Sequence, residues 1–258
     1  MARVLIGYSC CGLTKQAFAR RGHEVWTCDL LPPRHDGLHL QCDVWRALEQ
    51  EWDMAVLHPM CTYLTCSAAW AFGDGPYHQK VKPGTLVGVE RRAAREEALE
   101  NFKRLLDLPF PVAIENPAVS FVNKAIRPPN QVIQPYQFGD DASKATGLWL
   151  TGGLPALEMT KYVQPRLVCP NGHHNAYDDY SYCEICGSEI LRPRWANQTD
   201  SGQNRLSPSA DRWLERSKTY PGIAAAMGDQ WGRWLTCSAN KEIQPWVNWY
   251  SPGAPEKV

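Results

Sequence analysis

Along the first half of the chain, short continuous apolar runs alternate with segments whose apolar positions recur at helical spacing. Arg3-Val4-Leu5-Ile6-Gly7-Tyr8 predicts a first strand, ending at the turn Ser9-Cys10-Cys11-Gly12. Leu13 to Arg21 then predicts a helix, closed by Gly22. His23 to Asp29 is a second strand with an acid at its carboxyl end, and Leu38 to Asp43 repeats that pattern. Met54 to Pro59 is a fourth strand and Pro111 to Pro117 a fifth, with Glu115 near its end. Between them, Val89 to Leu106 predicts the clearest helix, with Ala94, Ala98, Leu99, Phe102, Leu105 and Leu106 on one face. This alternation predicts the α/β class with a parallel, doubly wound sheet. Such sheets bind ligands outside the carboxyl ends of their strands, where Asp29, Asp43, Cys61 and Glu115 should all fall.

The second half is less regular. Gln131 to Phe138 and Gly147 to Leu150 predict further strands, forming an antiparallel edge. From about Lys161 to Arg194 the composition shifts toward Cys, His, Asn, Tyr and Asp, which marks an insert. Ser209 to Lys218 and Gly222 to Leu235 predict helices, the second rich in small residues and packed closely on the core; a Pro- and Trp-rich tail follows Asn240. The division is therefore a core over residues 1–160, an insert over 161–195, and a segment over 196–258 that returns to the core.

Composition narrows the class. With 258 residues, 44% hydrophobic and 21% charged, the chain has enough apolar material for a folded core, so disorder is excluded as its main state. Lys and Arg total 27 against 27 Asp and Glu, so bulk electrostatic coating of nucleic acid is excluded while a local basic face is not. No run of about 18 apolar residues predicts a membrane span. The ten cysteines come without a signal peptide in a chain too large to need staples. They predict a reducing, cytoplasmic setting, one nucleophile and one metal cluster.

The turn over residues 8–12 presents backbone amides at a helix start, which lets a cofactor approach. Asp29 suits ribose hydroxyls and Asp43 an adenine amino group. Either Asp alone would more simply cap the next turn, but three acidic strand ends together favour a cofactor site. Cys61, just past Pro59 in His58-Pro59-Met60-Cys61-Thr62, sits at a strand's carboxyl end, where neighbouring amides favour a thiolate. Most cysteines are inert core residues, Cys66 among them. What sets Cys61 apart is Glu115 one strand away, a carboxyl expected to carry a proton with its pKa raised by an apolar neighbourhood.

Cys169-Pro-Asn-Gly-His173-His174 and Cys183-Glu-Ile-Cys186-Gly187 form two ligand pairs, the pattern of a structural zinc site, with His173 favoured over His174 by its Cys-x3-His spacing. Four ligands close the shell, so the ion would hold structure rather than do chemistry. Beyond it, Arg192, Arg194, Gln203, Asn204 and Arg205 mix guanidinium and amide groups that suit phosphates and base edges. A solvated polar loop explains them nearly as well.

Taken in order, these motifs resemble the DNA cytosine-5 methyltransferases, particularly the short bacteriophage forms. Tyr8-Ser9-Cys10-Cys11-Gly12 is similar to that family's first S-adenosylmethionine motif, His58-Pro59-Met60-Cys61 to its Pro-Pro-Cys loop, and Glu115-Asn116-Pro117 to its Glu-Asn-Val motif. Asn197 to Trp231 resembles the C-terminal part of the phage forms, while Lys144 is only a loose substitute for the family's Gln-x-Arg-x-Arg motif. The resemblance implies a Rossmann-like methyltransferase fold carrying a small zinc-ribbon insert that serves target recognition. It implies a DNA partner and, for a phage-encoded chain, the bacterial host's cytoplasm; it names no protein partner. It implies S-adenosylmethionine bound by Tyr8, Ser9, Cys10, Cys11, Gly12, Asp29, Leu30, Asp43, Val44, His58 and Pro59. Cys61 would attack carbon 6 of cytosine while Glu115 protonates or hydrogen-bonds ring nitrogen 3. Two alternatives stand beside this reading. One is a related transferase acting on cytosine nucleotides or using a modified donor; the other is a non-catalytic zinc-ribbon DNA-binding protein on the same fold.

Overall fold

The structure is a computed structural model and describes residues 1–175, 182–189, 191–207, 209 and 212–239. The tail after Asn240 lies outside the described residues. Seven strands form one sheet: β1 Arg3–Gly7, β2 Glu24–Asp29, β3 His39–Gln41, β4 Met54–Leu57, β5 Val112–Pro117, β6 Gln131–Ile133 and β7 Thr146–Leu150. Their order is β3-β2-β1-β4-β5-β7-β6. The first five are mutually parallel, and β7 runs antiparallel to both neighbours. The fold is thus mixed α/β with a mostly parallel sheet, compatible with a Rossmann-like architecture.

Both faces of the sheet are covered, which explains why its strands read as continuous apolar runs. Val4, Ile6, Val56 and Ala113 point into one core layer, beneath Phe18 of helix α1 (Leu13–Ala19). Ile223, Met227, Trp231 and Leu235 complete that layer. Leu5, Ala55, Leu57 and Ile114 point the other way, beneath Val44 of α2 (Val44–Ala47) and Leu99, Phe102 and Leu105 of α3 (Gly88–Leu106). The apolar face predicted for α3 is the buried one. It carries one surprise, Arg91, which is 4% exposed.

Boundaries moved where side chains forbid the predicted element. The run Gln131–Phe138 is a strand only to Ile133, because Pro135 has no N–H for a ladder and opens a short helical turn, Pro135–Gln137. A four-residue helix, α4 (Val122–Ala125), follows β5. The insert forms its own small antiparallel sheet, with β8 (Arg166–Val168) between β10 (Arg192–Arg194) and β9 (His174–Asn175). Of the helix predicted over residues 209–218, α5 covers Arg212–Ser217. The next is continuous but not uniform: α6 (Pro221–Ala226), a π-helical turn at Met227–Trp231, then α7 (Gly232–Ala239). Its close approach to α1 needs Gly228, where an added Cβ would collide with the backbone of Ala17. Among the described residues, no helix is long and apolar enough to cross a membrane.

Candidate functional site

Strand order reverses between β1 and β4, so the crevice lies at the carboxyl ends of those strands. Asp29 ends β2, Asp43 follows β3, Cys61 follows β4 and Glu115 lies in the second half of β5, as expected.

The register builds the β4–β5 end of the crevice. Leu57 pairs with Ile114, so one further step along the two parallel strands sets His58 beside Glu115 on the same face. His58 Nδ1 lies 2.5 Å from Glu115 Oε2, and both side chains are 14% exposed. Lys144 Nζ stands 4.0 Å from the other oxygen, Oε1, and donates to the carbonyl of Arg216. Burial alone would raise the Glu115 carboxyl. The charge and hydrogen bond of His58, with the Lys144 ammonium, outweigh it and bring the group down to about 2. This corrects the expected direction: the neighbourhood is cationic rather than apolar.

Cys61 itself is exposed. Its carbonyl accepts from the amides of Leu64 and Thr65, forming a tight turn, and Phe121 donates its amide to the Leu64 carbonyl. Asn116 Nδ2 donates to the Pro59 carbonyl at 2.9 Å. Arg91 Nη2 reaches from α3 to the Thr62 carbonyl at 3.1 Å, with its guanidinium against the rings of Tyr63 and Phe72. The cysteine is therefore exposed on a loop held from β5 and α3. Asn116 and Arg91 were not anticipated as loop supports. The signal available for Arg91 was its place on the apolar face of α3.

The expected cofactor residues divide. Tyr8 takes positive φ (56°), an uncommon conformation for a residue with a side chain, and its hydroxyl pairs with Asn101 of α3. Ser9 Oγ closes the turn on Cys11, while Cys10 is buried. Gly12 is required by the chain's own loop, since a Cβ there would meet His35. Asp29 accepts from the Leu31 amide and Asp43 caps α2 through the Trp45 amide, each at 2.9 Å. One carboxylate oxygen in each thus has the plain capping role. Leu30 is 69% exposed, whereas Val44 is buried under β1 and belongs to the core. Cys28 and Cys42 lie close, Sγ to Sγ 4.0 Å, and burial with its neighbour pushes the Cys28 thiol up to about 12, an inert state.

In the insert, Cys169, His173, Cys183 and Cys186 bring their ligand atoms within 4.8 Å of one another. Three thiols and one imidazole at that spacing can hold a zinc ion, with no ligand position left open. Burial would raise the Cys183 thiol, but amides including those of Cys186 and Ile185 lower it to about 6, which favours the thiolate a metal binds. His174 faces away to Asp200 (3.1 Å), which settles the choice between the two histidines.

Arg194 is committed to structure, donating to the Asp200 and Pro193 carbonyls. Gln203 and Asn204 close the loop on Thr199 and Leu206. Arg192 and Arg205 are exposed. Asn204 and Arg205 line a cavity of about 480 Å³ with Leu13, Asn197, Lys218 and Tyr220. A smaller neighbouring cavity shares Asn204 and reaches Lys144. Of the residues expected to grip nucleic acid, Asn204 and Arg205 thus lie on a surface that reaches Lys144 beside Glu115.

No protein-family model matches the sequence. No curated protein matches it either.

Proposed function

We propose that the protein is a cytosine-5 methyltransferase acting on DNA. The observation that carries this reading is the convergence of three features at the carboxyl ends of one mostly parallel sheet. These are an exposed Cys61 on a braced loop, the carboxylate of Glu115 on the adjoining strand, and the sharp turn after β1. Cys61 adds its sulfur to carbon 6 of the ring, and the Glu115 cluster supports nitrogen 3, which makes carbon 5 nucleophilic. A base in a duplex must leave the stack to reach such a crevice.

S-adenosylmethionine, when bound, supplies the methyl group. The turn over residues 8–12, the outer oxygens of Asp29 and Asp43, and exposed Leu30 are the residues that would hold it. The zinc cluster fastens the insert. Through Arg166 and His174 to Asp200, it also supports the 197–205 loop that faces the cavity. Arg192 and Arg205, both exposed, are its basic contacts to DNA.

The test is transfer of a labelled methyl group from S-adenosylmethionine to DNA by the purified protein. Label in 5-methylcytosine supports the reading. Stable protein that neither transfers label nor is thermally stabilised by S-adenosylhomocysteine overturns it in favour of a non-catalytic DNA-binding protein.

A further inference from the structure

We propose that Arg91 is the positioning residue of the Cys61 nucleophile, acting through a ladder of arginines and aromatic rings, an assignment that rests on the methyltransferase reading.

Arg91 and Arg95 lie four residues apart and so share one face of α3. Their guanidiniums stand against rings from three separate segments. Arg91 lies 5.4 Å from the ring centre of Tyr63, two residues past Cys61, and 4.8 Å from that of Phe72. Arg95 lies 5.0 Å from Phe72 and 5.0 Å from Phe121, which follows β5. Phe72 and Phe121 also meet edge to face at 5.1 Å. A cation over a ring face is attracted by the ring's charge distribution. The five side chains therefore run as one ladder from the Cys61 loop to the segment just past the strand of Glu115. Backbone bonds follow the same path: the Phe121 amide donates to the Leu64 carbonyl at 2.7 Å, and Thr65 pairs with Ser120.

Arg91 carries more of this than Arg95. Its Nη2 donates to the Thr62 carbonyl at 3.1 Å and its Nη1 to the Leu86 carbonyl at 3.3 Å. One side chain thus ties together both ends of the excursion that separates the Cys61 loop from α3. Arg95 has Glu96 as an ion-pair partner, whereas Arg91, 4% exposed, has none among the described residues, and its Nε is buried without an acceptor. A buried charge without a carboxylate is a costly way to brace a loop, and an apolar side chain of similar length would fill the same space. What the guanidinium adds is direction, since its planar fork and its ring contacts fix where Thr62, and with it Cys61, stands. Misplacing a reacting group by about 1 Å can cost about 100-fold in rate.

The test compares wild type, Arg91→Lys, Arg91→Met and Phe72→Leu for labelled methyl transfer to DNA, with thermal unfolding and hydrogen exchange. Arg91→Met should lose about 100-fold in kcat, and Arg91→Lys, which keeps the charge without the fork, should lose less. The KM for S-adenosylmethionine should stay within about twofold, because the lost contacts do not touch the donor. Stabilisation by S-adenosylhomocysteine should match wild type. The amides of Leu64 and Thr65, which donate to the Cys61 carbonyl, should exchange faster while those of β1 and β4 do not. Should Arg91→Met fail to fold, Arg91→Lys and Phe72→Leu carry the same comparison. Folded Arg91 variants with the wild-type kcat overturn the assignment. So does a loss shared by donor KM and by protection in β1 and β4, which is the mark of plain structural support. Wild-type protein that transfers no methyl group overturns the methyltransferase reading instead, and the assignment falls with it.

Discussion

The Cys169–Cys186 cluster and the Cys61–Glu115 crevice were both visible in the sequence, but they were built differently. The cluster is local, with ligands within one short insert whose spacing and knuckle turn bring four donors together. The crevice joins residues far apart in sequence, with His58 and Glu115 separated by 57 positions and paired only by strand register. A local site can be read with its geometry. A register-built site can be read as a set of residues, while its electrostatics wait for the pairing.

Metal removal separates the two most sharply. Stripping zinc with a chelator, or making Cys183→Ser, should unfold the insert, since a structural zinc contributes on the order of 10 kcal/mol to such folds. The seven-stranded sheet should survive, because its two core layers draw nothing from the insert. Metal analysis together with hydrogen exchange checks this. Simultaneous loss of protection in β1 and β4 would break the comparison.

Acid should act on the crevice through Glu115, apart from its effect on the cluster, whose ligands must be deprotonated to hold a metal. Glu115 has a folded pKa of about 2 against an ordinary 4.5, so its contribution is present above the ordinary value. It is lost as pH falls from about 4.5 toward 2. The shift corresponds to about 3 kcal/mol, and Glu115→Gln should flatten that part of the stability curve. Urea unfolding at pH 7 and pH 3 measures it, and equal acid sensitivity in the variant would contradict the ion cluster.

The core beneath the crevice should respond less. Gly228→Val forces a side chain into the backbone of Ala17 and should cost about 1–3 kcal/mol by thermal unfolding. It should leave zinc content unchanged.

Much of the fold was legible because hydrophobic runs and turn residues repeat the α/β alternation, and β1, β2, α3 and β5 lie within a residue or two of their expected bounds. The candidate site was legible in its placement and less so in its chemistry. Glu115 was expected in apolar surroundings because its own strand is apolar. The charges that reverse its pKa come from His58, just past β4, and from Lys144, which nothing local to Glu115 announces. Lys144 lies two residues before Thr146, and Thr146 pairs with Pro117 just past Glu115, so only the reversed β7 brings it there. Asp29 and Asp43 show the converse. Their capping bonds follow from local turn chemistry and required no fold to foresee.

In the proposed function, Cys61 modifies cytosine at carbon 5 in DNA. Nucleoside mass spectrometry of DNA from cells expressing wild type or Cys61→Ser at equal levels tests it most directly, because it identifies the base and the added group together. Wild type should give 5-methyldeoxycytidine, and Cys61→Ser none above background. Unaltered deoxycytidine with a folded, zinc-loaded wild-type protein, or equal modification by Cys61→Ser, would contradict it.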